Sequence, residues 1–250
     1  LHDALPIYHT EKLQDARVRE AVSLALDTAN FAAIVWGNAC RPATSVLSST
    51  MTYYESQGDH VYDPDAARKL MEEAGYSANN RLELEIWGDP GESSQRQLTT
   101  LQAYLAEIYI DANPNFVDVP EVIEHIITGT TDFLLPNASG IGTNHPYEVV
   151  MSTDPASNAN PTQVIEDEEY VALAAAAATE LDDEKEAEDY AKIQEWLVGN
   201  HYLIPIAETA NVILYRPYVT SFITKADQEN MCSLDGALTG TTAGDTEATI

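Results

Sequence analysis

The chain has 250 residues, 44% of them hydrophobic, and carries 12 Lys+Arg against 41 Asp+Glu for a formal net charge of −29. That apolar content is enough to bury a core, which argues against wholesale disorder despite the charge. A surface this negative disfavours nucleic acid, whose phosphates need Lys and Arg, and disfavours docking on anionic lipid. Two cysteines, Cys40 and Cys232, exclude a disulfide framework and a four-thiolate metal site. Two unpaired thiols or one disulfide both remain open.

Residues 1–7 (LHDALPI) can be back-translated into a sequencing-library adapter, so residues 1–12 are expected to be an artefact or linker. From there the pattern is regular. Asp15 is expected to cap a helix over residues 16–36, with Val18, Val22, Ala25, Leu26 and Ala29 on one apolar face and Gly37 as its stop. Arg17 and Arg19 fall on the polar side of that helix. Residues 38–60, with Pro42 and the pair Tyr53–Tyr54, read as a long loop. Asp63 and Pro64 give an N-cap followed by proline at the first helical position, and Gly75 ends the helix that carries Ala67, Leu70, Met71 and Ala74.

Residues 81–87 (RLELEIW) alternate as a strand with one wet face. Residues 93–108 carry Leu98, Leu101, Leu105 and Ile108 at helical spacing. A short strand over 115–119 is followed by a helix from Pro120, bearing Val122, Ile123, Ile126 and Ile127 and ending at Gly129. A short strand over 132–135 leads into an irregular stretch, 136–161. Two acidic helices near 167–181 and 183–200 bury Tyr170, Val171 and Leu173, then Tyr190, Ile193, Trp196 and Leu197. Strands are expected at 203–207 and 211–215, and residues 238–250 read as a mobile tail. The alternation implies an α/β domain with helices packed on a sheet. The irregular stretch follows a strand end, where open α/β sheets bind ligands, and is the best binding candidate on pattern alone.

Catalytic motifs are missing. The sequence has no nucleophile elbow, HExxH, P-loop, dinucleotide fingerprint or EF-hand loop. Its six histidines are scattered, and none has a second His or a Cys at ligand spacing. His125, among apolar neighbours, reads as a surface or hydrogen-bonded core histidine. Glu166–Glu169 read as acids favoured by a helix N-terminus. Asn137-Ala138-Ser139 fits the glycosylation triplet, a pattern common by chance. Trp36, Trp87 and Trp196 read as core, with Trp36 and Trp87 near element ends.

Two segments carry a family likeness. Residues 15–27 (DARVREAVSLALD) and 62–76 (YDPDAARKLMEEAGY) resemble two helices of the extracytoplasmic solute-binding proteins of ABC transporters, in the peptide/nickel-binding family 5. Residues 98–110 are similar to a third helix of that family, with Tyr109 where the family usually has Gly. Residues 132–135 match the strand that runs toward the ligand. Residues 183–200 resemble its "D…R…Y…Q…L" helix, and Ile204-Pro205-Ile206 the strand after it. The resemblance covers about residues 13–222.

The resemblance implies a periplasmic-binding-protein-like (class II) lobe, a mixed sheet flanked by helices, forming an incomplete clamshell. Residues 13–208 would be the third domain of the family, 209–237 the strands returning to the first domain, and 238–250 a flexible tail. The N-terminal half, with its signal and lipid-anchor cysteine, would be absent. The implied function is that of the substrate-binding component of an ABC importer, outside the cytoplasm. It would capture a peptide or small polar solute by lobe closure and deliver it to a permease with its ATPase. Membrane contact would run only through an anchor absent from this chain. No catalysis and no cofactor are implied. The alternatives are a ligand-sensing or scaffold module of the same fold, or a hydrolase.

The resemblance also places the ligand-facing candidates at Ser139, Gly140, Asn144, His145 and Tyr147, with Tyr53 and Tyr54 as apolar walls. Peptide-binding members hold the peptide α-ammonium with an Asp near a Pro in this loop. Here Asn144-His145-Pro146 stands instead, which favours a neutral polar ligand such as a sugar or a blocked peptide. Nickel or haem capture through His145 is the lesser option. A loop that merely caps the sheet is the bland alternative. Arg17 and Arg19 are expected to pair with carboxylates as scaffold.

Overall fold

The computed structural model describes residues 2–6, 11–37, 40–128, 130, 132, 137–139, 146–156, 165–209, 219–221 and 238–239. The opening strand β1 (His2–Pro6) is followed by a 3-10 turn (Glu11–Leu13), helices α1 (Ala16–Ala25) and α2 (Thr28–Trp36), and strand β2 (Cys40–Pro42). After helix α3 (Pro64–Glu73) come β3 (Leu82–Gly88), α4 (Glu92–Ala106), β4 (Ile110–Phe116) and α5 (Val119–Thr128). The chain continues through β5 (Asn137–Ser139), α6 (Tyr147–Thr153), α7 (Glu168–Thr179), α8 (Asp183–Gly199) and β6 (Leu203–Thr209). Two short strands, β7 (Val219–Ser221) and β8 (Leu238–Thr239), pair antiparallel. The strand expected at 211–215 lies outside the described residues, as does Cys232.

The single helix expected over 16–36 is two. Asp27 interrupts it: its backbone leaves helical geometry and its carboxylate accepts from the Asn30 amide, capping α2 as Asp15 caps α1 through the Arg17 amide. A carboxylate that satisfies orphan N–H groups starts a helix as readily as it sits inside one. The α3 boundaries follow the sequence closely. Asp63 accepts from Ala66 N, Pro64 opens the helix, and Gly75 follows its end at φ +97. There Tyr76 N donates to Met71 O and Gly75 N to Glu72 O, the Schellman pattern that needs a left-handed residue.

The strand expected at 115–119 lies earlier, at Ile110–Phe116, in parallel register with β3 from Leu82↔Ile110 to Gly88↔Phe116. Pro114 and three neighbouring polar residues hide it from propensity, but β4 pairs only with β3 among the described strands, and proline is tolerated at such an edge. The stretch 136–161, read as irregular, contains β5 and α6.

Four strands form a sheet in the order β2-β6-β1-β5, antiparallel throughout, while the parallel β3-β4 pair forms a second sheet. In β6 six consecutive residues from Leu203 to Glu208 are buried, a run expected of a central strand covered on both faces. Pro205 cannot donate to a ladder. A register shift between Asp3 and Ala4 leaves Ile206 as the extra residue beside it, and Ile206 O accepts from Ala43 N on the other side.

Two apolar clusters result. One joins α1, α2, α3, α4, β3 and β4 to Ile204, Ile206 and Ala207 of β6. The other joins α6, α7, α8 and Leu203 to Val46, Leu47 and Met51 of the segment after β2. Buried polar groups tie these parts together. Glu208 accepts from Arg41 Nε (3.0 Å), Ser49 N (3.0 Å) and Ser49 Oγ (3.0 Å). Burial opposes its ionisation, yet the Arg41 and Ser49 donors outweigh that and hold its carboxyl below the usual range.

Arg17 pairs with Asp15, as expected of a scaffold ion pair. Arg19 departs from the expectation. It is buried, donates to the carbonyls of Leu13, Gln14 and Asn200, and lies 4.2 Å from the centroid of the Tyr202 ring. A helix face that looks polar in sequence is here covered by the turn between α8 and β6, so the guanidinium is satisfied by carbonyls and an aromatic face.

Candidate functional site

The segment 43–57 is folded on itself. Gln57 N donates to Thr44 O (2.7 Å), closing its ends together, and Val46, Leu47 and Met51 turn inward. Such closed loops packed by their own side chains are frequent carriers of function. Tyr54 hydroxyl bonds Thr44 Oγ1 at 2.5 Å, and Ser56 Oγ donates to the same oxygen. Tyr53 sits at φ +57, in the left-handed region. Its ring stacks on Tyr190 of α8 with centroids 5.8 Å apart and planes inclined by 14°, and its hydroxyl donates to Glu186 at 3.0 Å.

The second candidate stretch meets the first on α8. Tyr147, half-exposed, begins α6 after Pro146, within electrostatic reach of Tyr190. Burial, then the charge of Glu186 and the neighbouring Tyr147 and Tyr53, push the Tyr190 hydroxyl up to about 12. The Glu186 hydrogen bond likewise raises Tyr53. At neutral pH these phenols are protonated and both donate and accept hydrogen bonds.

Of the seven residues singled out in the sequence, Tyr53 stacks on Tyr190, Tyr147 lies within electrostatic range of it, and Tyr54 is held beside Thr44. The Ser139 backbone lies in β5 opposite His2, and residues 2–6, expected as artefact or linker, run as the strand beside it. Gly140, Asn144 and His145 lie outside the described residues. Sequence reasoning missed Glu186 and Gln194 as partners of this site. The available signal was Gln194, a polar residue on the apolar stripe of Tyr190, Ile193 and Leu197, where burial demands hydrogen bonds.

A recess of about 640 Å³ beside α5 is lined by Asp118, Glu121, Glu124, His125 and Thr130 among others. His125 is engaged there: its ring stacks on Trp87 (centroids 3.5 Å apart, 17°) and Nδ1 meets Thr130 Oγ1 at 2.6 Å. Among the described residues no group of three or more His, Cys, Asp or Glu is placed to hold a metal ion, and no helix is long and apolar enough to cross a membrane.

Residues 6–160, more than half the chain, match the bacterial extracellular solute-binding proteins, family 5, in the middle portion of that family's pattern. The chain belongs to this family. Among family 5 relatives, it is 32% identical over 146 residues to di/tripeptide-binding protein 2 of Pseudomonas aeruginosa (strain UCBPP-PA14), covering 57% of this chain and 27% of that protein. It is 31% identical over 103 residues to the glutathione-binding protein GsiB of Escherichia coli (strain K12), covering 41% and 20%. Two solved structures share its fold. NikA of Brucella suis, in complex with Fe(III)-EDTA, superposes with a TM-score of 0.77 at 18% identity over 96% of this chain and 51% of that one. OppA of Haemophilus influenzae, in complex with RPPGFSPFR, gives 0.70 at 21% identity over 88% and 44%. The fold is thus periplasmic-binding-protein-like, and the chain spans between a fifth and about half of the length of these relatives.

Proposed function

We propose that this chain supplies one lobe of the substrate-binding component of an ABC importer, which captures a peptide or other small polar solute by lobe closure and hands it to a membrane permease outside the cytoplasm. The observation that carries the reading is the family 5 match over residues 6–160. The relatives named for di- and tripeptides and for glutathione support a peptide-sized polar ligand. The phenols and ring faces of Tyr53 and Tyr190 offer hydrogen bonds and apolar walls suited to a small polar solute. In the family resemblance, Asn144 and His145 stand where a carboxylate holds a peptide ammonium, so the solute we favour is neutral at that end. Closure is a population shift, driven by contacts that both lobes make only in the closed form.

The test uses the chain extended to the full length of its relatives, with trialanine, N-acetyl-trialanine, glutathione and maltose as probes. A bound probe raises Tm, by mass action on the folded state, and is recovered intact by mass spectrometry. N-acetyl-trialanine is expected to bind at least as well as trialanine. Consumption of a probe, abolished by Asn144→Ala or His145→Ala, would make the protein an enzyme instead.

A further inference from the structure

We propose that Gln194 is a positioning residue for solute binding: from the middle of α8 its carboxamide fixes the 43–57 segment so that Tyr53 is presented to the solute in one conformation. This rests on the reading above, in which Tyr53 and Tyr147 line the solute site.

Gln194 is 1% exposed. Its Oε1 accepts from Ser45 Oγ (2.8 Å) and from Glu55 N (3.0 Å). Its Nε2 donates to Tyr53 O (2.8 Å) and Tyr190 O (3.0 Å). A carboxamide has two donors and two acceptor sites, and all four are used. Three of the four partners belong to one segment roughly 140 residues earlier in the chain, and they bracket Tyr53 on both sides.

Packing alone gives no reason for glutamine here. The surrounding face of α8 buries Tyr190, Ile193 and Leu197, and an apolar residue of similar volume would fill the space without the desolvation of a carboxamide. What the carboxamide adds is direction. Tyr53 lies at φ +57, a conformation that a non-glycine residue keeps only where its surroundings over-determine it. The bonds from Gln194 to Tyr53 O and Glu55 N hold the backbone directly after that Cα, the Ser45 bond holds the segment ahead of it, and together they supply the constraint. With the backbone held, the Tyr53 ring lies flat on Tyr190 and its hydroxyl reaches Glu186. Tyr147, of the other candidate stretch, lies within electrostatic range of the same Tyr190. Gln194 therefore sets how Tyr53 lies on Tyr190, and it acts through Tyr53 without touching the solute.

The test is a double-mutant cycle on the chain extended to the full length of its relatives, with N-acetyl-trialanine and trialanine as the titrants. Affinities are measured at 10 °C, with circular dichroism showing each variant folded. Gln194→Met keeps length and burial and removes all four bonds. It is expected to weaken binding at least tenfold, and to weaken it no further when added to Tyr53→Ala, because the effect runs through that side chain. Should Gln194→Met fail to fold, Ser45→Ala removes one bracket bond alone and is expected to weaken binding about threefold, again with no further loss beside Tyr53→Ala. Unchanged affinity in the folded variant, or a full additional loss in the Tyr53→Ala background, overturns the inference alone. A wild-type protein that binds neither titrant overturns the functional reading and the inference with it.

Discussion

His60 and His201 stand close to α1 and to each other. His60 Nε2 meets Ser23 O at 3.0 Å in the last turn of α1, and His201 follows α8 at φ +56. Burial lowers the pKa of His60, while the Ser23 and Leu26 carbonyls and Asp27 oppose it. Burial also lowers His201, with Arg19 and His60 adding to the effect and Glu20 opposing it. The folded protein thus takes up protons on these rings less readily than the unfolded chain. Stability is intact above the ordinary histidine value of about 6.5 and falls as pH drops through it toward the lowered folded values. Tm measured from pH 7.5 to 5 is expected to decline across that window, and the decline to flatten in His60→Gln and His201→Gln. A decline that both variants leave unchanged would assign it to other groups. Tyr109, at φ +65 where the resemblance has Gly, gives a second measurement. Its hydroxyl donates to Glu72 on α3 at 3.0 Å. Tyr109→Gly relieves backbone strain as it loses that bond, and Tyr109→Ala loses the bond and keeps the strain. The glycine variant is expected to be the more stable of the two by about 1 kcal/mol in denaturant titration. At this scale the caps at Asp15, Asp63 and Gly75 were legible because each acts within three residues. The surroundings of Arg19 were not, because the Asn200–Tyr202 turn that covers it comes from the other end of the described chain.

The same distinction between local and distant causes separates the elements. Helices α3, α4, α7 and α8 lie within two residues of their sequence expectation, since amphipathic spacing and caps are both local. The break between α1 and α2 was missed because the apolar spacing runs through Asp27 without interruption. Asp27→Ala removes the cap and is expected to cost about 1 kcal/mol, read as a lower denaturant midpoint with an unchanged slope. Strand β4 was misplaced because its pairing with β3 outweighs the poor strand propensity of Asn113, Pro114 and Asn115. The order within 43–57 was invisible in sequence. It depends on Gln194 and on the burial of Val46, Leu47 and Met51 against α6, α7 and α8. The family likeness singled out Tyr53 by residue type, while its stacking on Tyr190 and its bond to Glu186 required the fold.

For the whole molecule, the proposed function implies that the chain presents one face of a binding site. Tyr190 belongs to the second apolar core with Tyr53 packed against it, Tyr147 is exposed, and the chain spans only about half of the two ligand-bound structures it superposes on. A solute held mainly by closure needs contacts from both sides, and half of them leaves little affinity after the cost of association. The most direct measurement is calorimetric titration of N-acetyl-trialanine into this chain alone and into the chain extended to the full length of its relatives. The account predicts micromolar or tighter binding, on the order of −8 kcal/mol or better, for the extended protein and no measurable heat for the chain alone. Micromolar binding by the chain alone would contradict it.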